Sequence, residues 1–243
     1  MKKIMTLTLV LGMVAATNAQ WGKRVKGNGN MTTIERSVGE YDAVAVSGWF
    51  DVDLVEGKEG ELTLRGEENL LEYIKTEVQN GKLVIKTRKG VNLRPSSWKK
   101  DGGIYITVPV ENIDMVSLSG SGDIVGKTAL KADTFKTSMS GSGDITLQIE
   151  ANILEASMSG SGDINLSGQA GNFEVSISGS GDIRAYELEA DVVEATVSGS
   201  ADIKVTAKEM LKARVSGSGD IHYRGNPTKV DTKTSGSGDI SKG

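Results

Sequence analysis

A chain of 243 residues with no cysteine and a single histidine lacks the parts for thiol catalysis, a disulfide framework or a zinc site built on several His or Cys ligands. Its 28 basic and 32 acidic residues leave a formal charge of -4 at pH 7. That mild acidity argues against nucleic acid or an anionic membrane as the partner.

Residues 1–19 read as a signal peptide. Lys2 and Lys3 form a positive start, and Ile4 to Ala16 is an apolar run too short to span a bilayer. Thr17-Asn18-Ala19 places small residues where a signal peptidase reads, so cleavage is expected after Ala19. No other stretch is apolar for long enough to cross a membrane. Without a cysteine at the cleavage site the product is not a lipoprotein. It is expected in the periplasm, or outside the cell and on its surface. Residues 20–40 form a lead segment.

Residues 41–116 read as irregularly spaced, β-rich chain. Ala43 to Val46 alternates, and Phe50, Val52 and Leu54 share one face, with Leu62 and Leu64 continuing the pattern. Leu70, Leu71 and Ile74 fall at helical spacing, which predicts a short helix from Glu68 to Ile74. Asn80-Gly81 between Thr76–Gln79 and Leu83–Thr87 predicts a tight hairpin, because both residues accept positive φ. Lys89 to Gly103 is polar and basic and is expected to be an exposed loop. Ile104, Ile106 and Val108 form the last strand of this part.

Residues 117–243 are regular. Ser-Gly-Ser-(Gly/Ala)-Asp-Ile occurs seven times, with aspartates at Asp123, Asp144, Asp163, Asp182, Asp202, Asp220 and Asp239. Successive spacings are 21, 19, 19, 20, 18 and 19 residues, the signature of stacked repeats that bury one side against their neighbours. Within each repeat the apolar residues alternate. In register they stack Phe135 on Leu154, Phe173, Val193 and Leu211, and isoleucine on isoleucine. A 19-residue coil has a contour of roughly 65 Å at ~3.3 Å per residue, which fits two or three short strands. The fold class is therefore all-β: a parallel β-helix, or solenoid, with a less regular β-rich N-terminal half. Propeller blades need about twice this period, and a leucine-rich consensus is missing.

Each position of the motif has a structural role. The glycines permit positive φ at a corner or close approach of stacked backbones. The serines can bond the turn, and the isoleucine fills the core. The aspartates form a ladder of carboxylates at ~4.8 Å, repelling by roughly 0.9 kcal/mol per neighbouring pair in water. Turn N–H groups offset that repulsion in one reading. In another, calcium sits between rungs at the seven aspartates, although one carboxylate per rung is sparse for six to eight oxygen ligands.

No catalytic site is read. His222 follows Ile221 and points outward, and an acid on every rung suits a structural ladder better than a local active site. Binding candidates lie where the repeat fails. Trp49 interrupts a degenerate Ser-Gly copy, and Trp98 lies among Arg94, Lys99 and Lys100. An aromatic ring with cations stacks on a sugar or contacts a protein. The final rung is polar, with Val230, Thr232 and Thr234 in core positions and Lys229 and Lys233 beside them. It reads as a self-blunting end, with a tail-to-tail dimer as the alternative, so a monomer or weak dimer is expected.

Four stretches in order carry a family resemblance. They are Tyr41-Asp42-Ala43-Val44 with Val46-Ser47-Gly48-Trp49-Phe50-Asp51-Val52, then Gly66-Glu67-Glu68-Asn69-Leu70-Leu71-Glu72-Tyr73-Ile74, then Asn80-Gly81-Lys82-Leu83-Val84-Ile85, then the repeats. From about Tyr41 to Ile240 the chain resembles the exported bacterial family described as putative auto-transporter adhesin, head GIN domain. The resemblance implies a right-handed parallel β-helix and an exported location. It transfers no catalytic or ligand-binding residue. The expectation is an exported, non-catalytic solenoid that binds a surface glycan or protein or builds the envelope, without a cofactor. The alternatives are a polysaccharide-processing β-helix enzyme and a calcium-stabilised scaffold.

Overall fold

The computed structural model describes residues 22–97 and 102–243. The signal peptide and its cleavage site lie outside the described residues, as do Trp98, Lys99 and Lys100. The described residues are about 72% strand and 2% helix and form a parallel β-solenoid of about 7 turns.

The first part contains β1 (Lys23–Lys26), β2 (Met31–Ser37), β3 (Ala43–Gly48), β4 (Asp51–Glu56), β5 (Glu61–Glu67), α1 (Glu68–Leu71), β6 (Ile74–Gln79), β7 (Lys82–Thr87), β8 (Val91–Arg94), β9 (Tyr105–Val110) and β10 (Met115–Gly120). The coils follow as β11 (Ile124–Gly141), β12 (Ile145–Gly160), β13 (Asp163–Gly179), β14 (Asp182–Gly199) and β15 (Asp202–Gly217). The coil above β15 is split into β16 (Ile221–Arg224) and β17 (Lys229–Gly236), and β18 (Ile240–Lys242) begins another coil on β16.

Each full coil is one strand of 16 to 18 residues, not separate short ones, because ladder bonding continues through the bends. Parallel pairing stacks Phe135, Leu154, Phe173, Val193, Leu211 and Val230 in one column. A second column runs Val52, Ile124, Ile145, Ile164, Ile183, Ile203, Ile221 and Ile240. These are the columns that the alternation predicts. The ladder also continues toward the N-terminus. β10 pairs with β3 and β3 with β7, so Val116, Val44 and Leu83 prolong the core.

The N-terminal end is closed by a change of strand direction. β2 pairs antiparallel to β5, β5 antiparallel to β9, and β6 antiparallel to β7. Asn80 (φ 52) and Gly81 (φ 76) make the predicted two-residue hairpin between β6 and β7. The expected helix from Glu68 to Ile74 is shorter than its spacing suggested: it ends at Leu71, and Ile74 opens β6. Leu70, Leu71 and Ile74 are all buried as the spacing required, but strand pairing takes the last of them. The Arg36 guanidinium secures this junction by donating to the carbonyls of Leu71 and Ile74.

The expected loop from Lys89 to Gly103 contains a strand. β8 pairs in parallel with β1, because Val91 and Leu93 alternate inward beside Val25. Leu93 is only 4% exposed.

Candidate functional site

The aspartate ladder explains itself at the corner. The N–H of Asp144 donates to Oδ1 of Asp123 at 3.0 Å, that of Asp163 to Asp144 at 2.9 Å, and that of Asp182 to Asp163 at 3.1 Å. The N–H of Asp220 donates to Asp202 at 2.9 Å and that of Asp239 to Asp220 at 2.7 Å. Each of these five carboxylates thus extends the β ladder by taking the aspartate N–H at the bend, while the aspartate carbonyls of Asp123, Asp144, Asp220 and Asp239 accept backbone N–H groups there. A charged acceptor makes these bonds stronger than neutral ones. The serines contribute through their backbone, with Ser142 N–H donating to Gly120 O at 2.8 Å and Ser161 N–H to Gly141 O at 2.9 Å. The hydroxyls expected to bond the turn sit on exposed residues instead.

Asp51 is an additional ladder member, since its carboxylate accepts the N–H of Asp123. Burial, then the Asp123 charge, pushes its carboxyl above the usual range. A raised value in the folded state means that folding opposes the charged form at neutral pH. Asp51→Asn keeps an oxygen for the Asp123 N–H and removes the charge. We expect a higher melting temperature than the parent at pH 7. The advantage should disappear as pH falls through the raised value to below the ordinary one, which paired melting curves would show.

The step from β14 to β15 departs from the pattern. Among the described residues no Asp202 N–H bond to the Asp182 carboxylate is formed, and that carboxylate is engaged by Arg184 of its own coil, which also pairs with Asp163 one coil below. Ala201 replaces glycine at the same step. The stacked backbones are farther apart there: a Cβ on Gly199 would lie 2.6 Å from Gly179 O, against 1.9 Å for Gly141 over Gly120. Among the described residues, no three acidic or histidine side chains converge as metal ligands. His222 is half-buried, with Nδ1 3.0 Å from Ser241 Oγ.

Two of the concave surfaces along the solenoid cross several coils. One has a volume of about 650 Å³ and a floor of Ala132, Ala151 and Ala170. Its charged walls are largely engaged within the protein: Lys131 with Glu150 at 2.8 Å, Lys208 with Asp191 at 2.9 Å, and Asn152 with Asp133 at 2.6 Å. The other, of about 430 Å³, lies over two hydroxyl ladders that include Ser117, Ser138 and Ser157 beside Ser119, Ser140 and Ser159.

The sequence candidates separate. Trp49 is half-buried and packs against the core, its ring 5.7 Å from Phe50 at a 48° tilt. Arg94 is exposed at the end of β8. The pairing of β1 with β8 puts Lys26 directly beside Arg94 and Arg24 beside Asn92, on the face opposite Val25 and Leu93. Lys23 donates to the Tyr73 hydroxyl at 2.8 Å and lies 5.0 Å from that ring's centre, and Arg88 lies 5.5 Å from the same centre. Lys89 is exposed in the turn before β8. The ion pairs among the described residues leave out Lys26, Arg88, Lys89 and Arg94. A four-residue ribbon spans roughly 13 Å.

Glu67, only 1% exposed, holds this ribbon to the cap. Its carboxylate accepts the N–H of Gly29, after β1, and the N–H of Ser96, after β8, the latter at 2.7 Å. Gly27 leaves it room: a Cβ there would lie 2.2 Å from the carboxylate oxygens. Sequence reasoning missed Lys26 and Glu67. The signal for the first was the alternation of Lys23-Arg24-Val25-Lys26 with Val91-Asn92-Leu93-Arg94.

Stacked in register and closed at one end by antiparallel strands, the chain is a capped parallel β-solenoid. It belongs to the family described as putative auto-transporter adhesin, head GIN domain, which matches residues 40–227. The resemblance carried by the motifs is therefore borne out. A crystal structure of a putative adhesin from Bacteroides fragilis is 26% identical, with a TM-score of 0.83, over 90% of this chain and 99% of that one. A putative lipid binding protein from Parabacteroides distasonis is 27% identical, with a TM-score of 0.75, over 91% and 100%. A putative adhesin from Parabacteroides merdae, at 22% identity and a TM-score of 0.70 over 91% and 99%, shares the fold. A search of curated proteins finds no match. Family and neighbours support an adhesin-like protein.

Proposed function

We propose that this is an exported, non-catalytic adhesin-type solenoid that holds an anionic surface glycan on the cationic ribbon of β1 and β8. The observation that carries the reading is the placement of Lys26 beside Arg94 on one exposed face, with Arg88 and Lys89 exposed at the other end of the ribbon, in a chain of net charge -4. A narrow basic strip on an acidic protein suits one strand of a carboxylated or sulfated polymer. A broad anionic membrane would bring the acidic remainder of the molecule close as well. The aspartate ladder is structural in this reading, and calcium has no part in it, because the Oδ1 atoms are committed to backbone N–H groups. The reading assigns no glycosidase role to the 650 Å³ groove, where Asp133, Glu150 and Asp191 serve an amide and lysines.

Binding to immobilised carboxylated or sulfated polysaccharide, against neutral dextran, tests the proposal. The parent should bind the anionic polymer and release it as salt rises, because exposed charges are screened. Lys26→Gln/Arg94→Gln should weaken binding roughly tenfold at low salt. Equal binding to dextran, or an unchanged affinity in the double variant, would reject the ribbon.

A further inference from the structure

The two ends of the solenoid are built differently. Antiparallel strands and α1 close the N-terminal end. At the other end, β17 pairs with β15 along one edge, from Met210↔Lys229 to Gly217↔Gly236. Its second edge has no partner strand among the described residues, and all eight of its residues are exposed. Val230 is 49% exposed although it continues the column of Phe173, Val193 and Leu211. A long edge strand is normally blunted by proline, a bulge, an inward charge or lysines along it, and the lysines of β17 are interleaved with the opposite charge of Asp231. β17 has no proline, its register runs without a shift, and its inward positions are Val230, Thr232 and Thr234. Its charges, Lys229, Asp231 and Lys233, all alternate outward.

We infer that β17 is a docking edge for a second copy of this chain, paired antiparallel about a two-fold axis through Thr232. An antiparallel pair keeps both cores on the same side only if inward residues face inward residues. Centring on Thr232 satisfies this over the longest overlap. Val230 then meets the partner copy's residue 234, a threonine, and Asp231 meets the opposite residue 233, a lysine, with the same two contacts repeated by symmetry. Centring on Asp231 would oppose Asp231 to its own copy, and centring on Lys233 would do the same with lysine. Asp231 is already held outward by the Arg214 guanidinium of the preceding coil. An isologous contact of this kind closes at two copies and so does not run on into a fibre. It also sets the two cationic ribbons at the far ends of the dimer, where a long or repetitive surface ligand engages both.

Sedimentation analysis of the full chain, from micromolar to high concentration, reads the outcome. The parent should be a concentration-dependent dimer. Asp231→Lys and Lys233→Asp, each with an unchanged circular dichroism spectrum, should weaken dimerisation roughly tenfold or more by opposing like charges. Mixing the two variants should restore a heterodimer, because each then supplies the charge that the other lacks. A monomeric parent at every concentration, single variants that dimerise like the parent, or a mixture that stays monomeric would overturn the inference. Because this readout is mass and not glycan binding, its failure leaves the ribbon untouched.

Discussion

Gly162→Ala should destabilise the protein by about 3 kcal/mol, the upper range for overpacking a tight interior. A Cβ at Gly162 would lie 1.8 Å from Gly143 O and 2.8 Å from Gly143 C. Both atoms are backbone held in the ladder, so no flexible side chain can move aside. Gly143 and Gly181 meet the preceding coil in the same way, at 1.9 Å and 1.8 Å. The one natural exception marks the limit of the rule. Ala201 lies two residues after Gly199, which stands farther from the coil beneath it than the first glycine of the other copies does, and at the corner where the aspartate bond is missing. Ala201→Gly should therefore change stability by about 1 kcal/mol or less, mostly through the freer unfolded chain. Denaturant titrations of the two variants test the contrast. Equal losses would mean that close backbone approach is not what the motif's second glycine secures.

Phe173→Ala should cost about 3–5 kcal/mol, the range for emptying a buried aromatic site. Phe173 is 2% exposed and stacks between Leu154 and Val193. The loss should fall on the neighbouring coils, since each coil of a solenoid contacts only the next. Phe173→Leu should cost far less, roughly 1.5 kcal/mol or below, because leucine already fills this column in two coils, at Leu154 and Leu211. Hydrogen exchange resolves the pattern. Protection should drop in β12, β13 and β14 and persist in β3 and β10. A uniform loss along the chain would contradict nearest-neighbour coupling.

The regular half of the fold was legible because repetition makes a long-range contact look local. Knowing that Phe135 and Leu154 hold the same place in successive repeats is enough to stack them. The Asn80-Gly81 hairpin was legible for a different reason, that both residues take positive φ in a two-residue turn. What escaped was single-copy and distant. β1 meets β8 across a long stretch of chain, and only four residues of alternation announce either strand. Glu67 stands beside Glu68 with nothing in the pattern to mark it, yet it is buried against backbone N–H groups from two loops. The helix from Glu68 was overextended because Ile74 satisfies helical spacing and strand pairing alike.

The candidate site followed the same division. The aspartates stack in one ladder as expected, but the donor opposite five of the carboxylates is the next coil's own aspartate N–H, a contact that exists only once the coils stack. Asp51 was hidden because Trp49-Phe50 stands where later corners have Ser-Gly. Arg94 was named from its basic surroundings, and its partner Lys26 became visible only through strand register.

Binding of three proteins to one immobilised anionic polysaccharide tests the central claim most directly: the parent, Lys26→Gln/Arg94→Gln, and Asp163→Asn. If the repeats are structural corners and recognition lies where they fail, the parent and Asp163→Asn should bind alike, and the ribbon variant should lose most of its affinity. Loss in Asp163→Asn with the ribbon variant intact, or no binding by the parent, would contradict it.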